Sequence, residues 1–96
     1  MSVDAPFVSI IIPVRDDTAS LANLLTALAV NPEVEIIIVN GGAPDPRLTA
    51  VTDRGDLRLL SSPPGRGRQM NVGALAAQGR WFLFLHADTR LPRQMA

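Results

Sequence analysis

Most of the side chains that could bind a charged ligand follow short apolar segments of this sequence. Asp88 comes shortly after the segment WFLFL, and His86 lies between them. A carboxylate just beyond a strand is held by a rigid scaffold and can still meet solvent, which suits a ligand of Mg²⁺ or Mn²⁺. These ions need only one or two protein carboxylates when the substrate brings a diphosphate. The alternatives are that Asp88 caps a turn and that His86 bonds only to backbone.

A second group of charged residues precedes a helical pattern. The segment GRGR carries Arg66 and Arg68, and an Ala-rich pattern over residues 70–78, closed by Gly79, predicts a helix after it. Free backbone N–H groups, the helix dipole and two guanidinium groups would then meet at one point, which favours an anion. The alternative is that both arginines are simply solvated in a loop.

Two further turns carry polar residues after apolar segments. Asp16 or Asp17 follows the first segment and would cap the next helix, which is worth about 1 kcal/mol without any ligand. Asn40 and Gly41 follow the second segment and form a plausible turn, since both residue types tolerate positive φ. The amide of Asn40 is also suited to pair with the edge of a nucleobase.

Seven alternating elements would position these residues. Apolar, β-branched or aromatic runs predict strands, the first ending near Pro13, over residues 7–14, 34–39, 57–61 and 81–85. Helical spacing and capping residues predict helices from Asp16 or Asp17 to about residue 28, from Asp45 or Pro46 to about residue 52, and over residues 70–78. This alternation indicates an α/β fold, a mostly parallel sheet with helices on both faces, and such sheets bind ligands beyond the carboxyl ends of their strands.

Composition narrows the class of protein. With 96 residues, 47% of them hydrophobic and 19% charged, the chain suits one globular domain. The net charge of zero predicts no attraction to nucleic acid. The absence of cysteine excludes disulfides, thiolate zinc sites and a cysteine nucleophile. No basic leader or long apolar stretch is present, so we expect a cytoplasmic protein with no transmembrane segment.

Three motifs, in order, resemble family 2 glycosyltransferases of the GT-A fold. They are VSIIIPVRDD, EIIIVNGGAPD and GRGRQMNVGALAAQGRWFLFLHADTRLP, and the resemblance covers about residues 7–93. The last motif is most similar to a subgroup with a His-Ala-Asp-Thr metal motif. The resemblance implies a three-layer, Rossmann-like sheet and the nucleotide-binding half of such an enzyme.

The resemblance also implies roles for particular residues. Asp88 matches the metal-binding Asp of the family's Asp-any-Asp motif, whereas His86 replaces the first Asp. Asn40 stands where an Asp commonly contacts the nucleobase, so the preferred base is open. The implied ligand is a nucleoside-diphosphate sugar held through Mg²⁺ or Mn²⁺, with an unknown acceptor. The implied donor-binding residues are Pro13, Val14, Arg15, Asp17, Asn40, Gly41, Arg66, Arg68 and His86.

Catalysis by the family also needs a general base, which comes from the segment after the metal motif. We therefore expect residues 1–96 to form one nucleotide-sugar-binding domain without the acceptor half, inactive in transfer by itself. An apolar face left open would favour self-association into a homo-oligomer.

Three alternative functions remain at this point. A dinucleotide-binding oxidoreductase fits poorly because Met70 occupies the position of the third glycine in its fingerprint. A nucleotidyltransferase would need a glycine-rich loop after the first strand, and PVRDD has no glycine. A non-catalytic module that only binds a nucleotide is the third.

Overall fold

Four strands and three helices alternate along the chain in this computed structural model, which describes residues 6–28 and 30–90. The elements are β1 (Val8–Val14), α1 (Thr18–Ala27), β2 (Val34–Asn40), α2 (Pro46–Val51), β3 (Leu57–Ser61), α3 (Arg66–Ala76) and β4 (Trp81–Phe84). The strands form a parallel sheet in the order β3-β2-β1-β4. The predicted α/β, Rossmann-like architecture is therefore confirmed.

Helices cover both faces of the two central strands. Alternate residues of β1 and β2 face opposite sides, so Ile10 and Ile12 pack in one cluster and Ile11 packs in another. The first cluster includes Leu21, Leu24 and Leu25 of α1 and Leu48 of α2, and the second is packed against Val72, Ala74 and Ala76 of α3. Burial on both faces explains why these strands are continuous apolar runs in the sequence.

Helix α3 differs from its predicted limits. The interpretation of GRGR as a loop is wrong, because Gly65 is the N-cap and Arg66 already begins the helix. Gly65 has φ +129°, a conformation that L residues rarely adopt, so glycine permits the chain to enter the helix abruptly. The helix ends at Ala76, and Ala77 is extended, so Gly79 does not cap it.

Gly79 instead allows the chain before β4 to lie directly against β1. Its N–H donates to Oγ of the buried Ser9 at 2.8 Å. A Cβ at this position would lie 2.7 Å from the backbone nitrogen of Ser9, closer than real contacts allow. Only glycine fits here without displacing β1, and the contact fixes where β4 begins.

The predicted end of β1 is confirmed, and that of β4 changes. Strand β1 ends at Val14, with Pro13 one residue earlier. Strand β4 ends at Phe84, so His86 and Asp88 lie in the following turn, closed by a 3.0 Å bond from the N–H of Thr89 to the carbonyl of His86. The period-two alternation of a strand, which would put His86 and Asp88 on one side, therefore does not extend to them. In the described part of the chain, no helix has the length and apolarity needed to cross a membrane.

Candidate functional site

A polar cleft of about 410 Å³ opens at the carboxyl edge of the sheet, and we call it the edge cleft. Three parts of the chain form it: the β1–α1 turn, the first turn of α3 and the segment after β4. Its lining residues are Pro13, Asp16, Asp17, Ser20, Arg66, His86, Ala87 and Asp88. Ala87 is buried in the apolar core, which anchors the segment between the exposed His86 and Asp88.

A smaller adjoining cleft of about 320 Å³ shares Pro13, Asp17 and Arg66 with the edge cleft. It is also lined by Val14, Arg15, Gly65 and Gln69. Arg66 thus lies where the two clefts meet, at the N-terminus of α3. The two clefts together bring into one region seven of the residues predicted from the sequence to bind a donor or metal: Pro13, Val14, Arg15, Asp17, Arg66, His86 and Asp88.

The β1–α1 turn presents two carboxylates to the edge cleft. Asp17, one of the two caps predicted, is the N-cap of α1, but its side chain makes no capping hydrogen bond. Asp16 has φ 62°, in the left-handed region where Asp is tolerated better than most residues. Neither carboxylate therefore makes a capping hydrogen bond to α1, and both line the edge cleft, as Arg66 does.

Asn40, at the end of β2, is engaged by its own turn. Its Oδ1 accepts a hydrogen bond from the N–H of Gly42 at 2.9 Å, and its Nδ2 donates to the carbonyl of Ala43 at 3.1 Å. The turn predicted at this point is thereby present. Contact between Asn40 and a nucleobase stays a prediction, because this residue and Gly41 line neither cleft.

Arg68 is separated from the other predicted residues. It is exposed in the first turn of α3 and lines neither cleft, unlike Arg66 two residues earlier. Successive helical residues point about 100° apart, so two arginines at this spacing lie on different sides of the helix. Its role in donor binding therefore stays a prediction.

Gln69 is a polar residue of this region that the sequence interpretation passed over. It is only 4% exposed, and its Nε2 donates to the carbonyls of Val14 at 2.8 Å and Val39 at 2.9 Å. A signal for it was present in the sequence: Gln69 precedes Gly73 by four residues, and a helix with glycine on one face approaches its neighbour closely.

A divalent cation fits this site only if a bound substrate supplies some of the oxygen ligands. Among the described residues no group of three or more His, Asp or Glu side chains is arranged to hold a metal ion. Asp88 is exposed in the cleft, with His86 beside it. Mg²⁺ commonly binds to one or two carboxylates, to water and to substrate phosphates. Asp88 meets that smaller requirement when a diphosphate supplies the other oxygens.

A parallel α/β sheet with a polar cleft at its carboxyl edge is typical of proteins that bind nucleotides. A comparison with protein families is more specific, since residues 9–95 match the family described as Glycosyl transferase family 2. The match spans most of the sequence, and the chain belongs to this family. The resemblance predicted from the three motifs is confirmed at the level of the family. A comparison with curated proteins gives no match.

Proposed function

We propose that this chain binds a nucleoside-diphosphate sugar in the edge cleft and stabilises the diphosphate as it departs during sugar transfer to an acceptor. Family membership supports the reaction class. The observation that carries the proposal is the edge cleft itself, which joins Asp88 and His86 to Arg66 and to the β1–α1 turn. We further place the chain in the subgroup with the His-Ala-Asp-Thr motif and in the cytoplasm.

Sugar transfer leaves negative charge on the departing diphosphate, and the cleft contains groups that would offset it. Arg66 offers a planar guanidinium that can bond two phosphate oxygens. The N-terminus of α3 adds unpaired N–H groups, since Gly65 provides no side-chain cap and no acidic residue lies in the first turn. A Mg²⁺ or Mn²⁺ ion held by Asp88 would supply Lewis-acid stabilisation, and His86 would donate to a phosphate or ribose oxygen.

The remaining predicted residues would contact the nucleoside. Pro13, Val14, Arg15 and Asp17 lie in or beside the smaller cleft, next to the end of β2 where Asn40 and Gly41 lie. We propose that this part of the edge receives the base, with Arg68 at the border of the donor site. Family membership favours this function over dinucleotide oxidoreduction and nucleotidyl transfer.

The test is calorimetric titration of the 96-residue chain with UDP and with GDP, in the presence and absence of MnCl₂. We expect Mn²⁺ to strengthen binding by tenfold or more, equivalent to about 1.4 kcal/mol, and Asp88→Ala to remove this increment. Asp53→Ala is the matched control, because Asp53 is an exposed carboxylate that does not line the edge cleft.

Two outcomes would contradict the proposal. Identical titration curves for Asp88→Ala and the unchanged chain would remove Asp88 from the metal role. Failure of both nucleotides to bind at any Mn²⁺ concentration would remove the donor site altogether. A mass-spectrometric transfer assay with a nucleoside-diphosphate sugar separates an enzyme from a non-catalytic nucleotide-binding module: only the enzyme forms a glycosylated product.

A further inference from the structure

Gln69 joins α3 to the ends of the two central strands. Both of its amide hydrogen bonds go to backbone carbonyls, that of Val14 at the last residue of β1 and that of Val39 one residue before the end of β2. In the β1–β2 pairing, Pro13 lies in register with Val39 and Val14 with Asn40. The Gln69 amide therefore donates from helix α3 to carbonyls at the last two levels of this pairing.

The sequence leaves room for this amide by placing glycine beneath it. A Cβ on Gly41 would lie 2.5 Å from Cδ, 2.6 Å from Oε1 and 2.9 Å from Nε2 of Gln69. Gly41 is itself fixed, because its N–H donates to the same Val14 carbonyl at 2.9 Å. An alanine at position 41 would therefore displace the amide of Gln69 while leaving that residue in the sequence.

The hydrogen bonds of Gln69 also fix the position of the first turn of α3. Gln69 and Gly73 are the buried residues of α3, and they lie four residues apart on one face. Arg66 is three residues before Gln69, and it lines both clefts. A shift of α3 along its axis would move Arg66 and would have to break the two hydrogen bonds of Gln69.

We infer that Gln69 is a positioning residue for the diphosphate: its amide fastens the first turn of α3 to the ends of β1 and β2 and thereby fixes Arg66 in the cleft. This inference rests on the proposed function. It goes beyond that function because Gln69 need not touch the donor. Other charged groups facing this region from the neighbouring elements are Arg15 and Asp17 of the β1–α1 turn.

A double-mutant cycle between Gln69 and Arg66 tests the inference. Gln69→Met keeps the length and apolar body of the side chain and removes both N–H donors. We expect it to weaken binding of UDP or GDP with MnCl₂ by three- to tenfold in the unchanged chain. In an Arg66→Ala background we expect a change below twofold, because there is then no guanidinium to misplace. Leu75→Ala, on the exposed side of α3, is the control.

A merely structural role for Gln69 gives a different result. Equal losses of affinity in the two backgrounds, or no loss in either, would overturn the inference while the binding of the unchanged chain left the proposed function intact. Failure of the unchanged chain to bind would instead overturn the proposed function. If Gln69→Met does not fold, as judged by circular dichroism, Gln69→Leu, which also lacks the two N–H donors, replaces it in the same cycle with the same expected pattern.

Discussion

Gly67 and Gly73 lie in the same helix, yet their surroundings predict opposite effects of an added methyl group. A Cβ on Gly73 would lie 2.5 Å from Cγ2 of the fully buried Ile11, whereas nothing lies within 4 Å of a Cβ on Gly67. Replacing glycine by alanine in an exposed helix stabilises by up to about 1 kcal/mol, and overfilling a core costs about 1–3 kcal/mol.

We therefore expect Gly67→Ala to raise the free energy of unfolding by up to about 1 kcal/mol and Gly73→Ala to lower it by about 1–2 kcal/mol. Urea denaturation followed by circular dichroism measures both. Equal stabilisation by the two substitutions would show that α3 can move away from β1 at no cost, and the close contact at Gly73 would then be unimportant for stability.

At the scale of single residues, the sequence predicted which charged residues line the edge cleft but did not predict the buried Gln69. Asp88, His86 and Arg66 could be predicted because parallel strands end at a common edge, where polar residues meet. Gln69 was not predicted, because its spacing to Gly73 indicates only a close approach of the helix, whereas its burial depends on carbonyls from β1 and β2, 55 and 30 residues away. The sequence narrowed the N-cap of α1 to Asp16 or Asp17, and the structure has Asp17 there without a capping bond, which depends on a rotamer that sequence does not specify.

Among the helices, the limits of α3 were the hardest to predict. Each glycine inside a helix costs about 1 kcal/mol relative to alanine, so GRGR resembles a loop by local preference. Contacts made by the rest of the helix with β1 and β2 override that preference. The central strands β1 and β2 were predicted nearly to the residue, because burial on two faces leaves an unbroken apolar run that polar residues end.

Helix α2 begins with an arrangement that makes its stability depend on pH. Asp45 is the N-cap and accepts hydrogen bonds from the backbone N–H of Arg47 at 2.9 Å and from its Nη2 at 3.1 Å. The side-chain bond from Arg47, followed by the backbone bond, lowers the pKa of Asp45 below its ordinary value of 3.8. Asp45 also accepts a bond from Oγ1 of Thr18, which links α2 to the start of α1.

Because the folded state lowers this pKa, ionised Asp45 stabilises the fold fully above the ordinary value, and the stabilisation is lost as the pH falls through the folded-state value. We expect Asp45→Asn to lower the urea midpoint at about pH 7 and to leave it nearly unchanged at about pH 2. Asp53→Asn, at an exposed carboxylate just after α2, is the control. A deficit in Asp45→Asn that persisted at low pH would assign the effect to the shape of the cap and not to its charge.

For the whole molecule, the alternation of patterns predicted the parallel sheet and its two covered faces, but not the order of the strands. After β2 and β3 have added to one side of β1, the next strand can join either edge of the sheet. In this structure β4 joins the sheet beside β1, on the side opposite to β2 and β3. Because parallel crossovers are right-handed, a connection that runs back across the sheet in this way puts α3 on the opposite face from α1 and α2. That choice places β4 beside β1 and brings Asp88 to the edge cleft.

Strand β4 leaves a large apolar surface exposed. Its four residues, Trp81, Phe82, Leu83 and Phe84, are between 45% and 62% exposed, and its outer edge has no neighbouring strand among the described residues. Exposed apolar edge strands favour pairing with another chain. Self-association of this chain therefore stays a prediction, with β4 as the surface that would carry it.

We accordingly expect the average mass in sedimentation velocity to rise with protein concentration, and Leu83→Glu to reduce this rise. Leu75→Glu is the control, because Leu75 is 89% exposed but lies on α3 away from β4. A chain that remains monomeric at every concentration would contradict the prediction. An equal effect of both substitutions would also contradict it, since general surface apolarity would then drive the association.

The central position of β1 has a consequence for biosynthesis. β1, β2 and β3 leave the ribosome before the segment from Ser62 to Phe84, which contains α3 and β4. At about 5–20 residues per second, that segment takes on the order of seconds to be made. During this interval a nascent chain has one side of β1 unpaired and Ile11 uncovered, so this is the period in which we expect a chaperone to matter most.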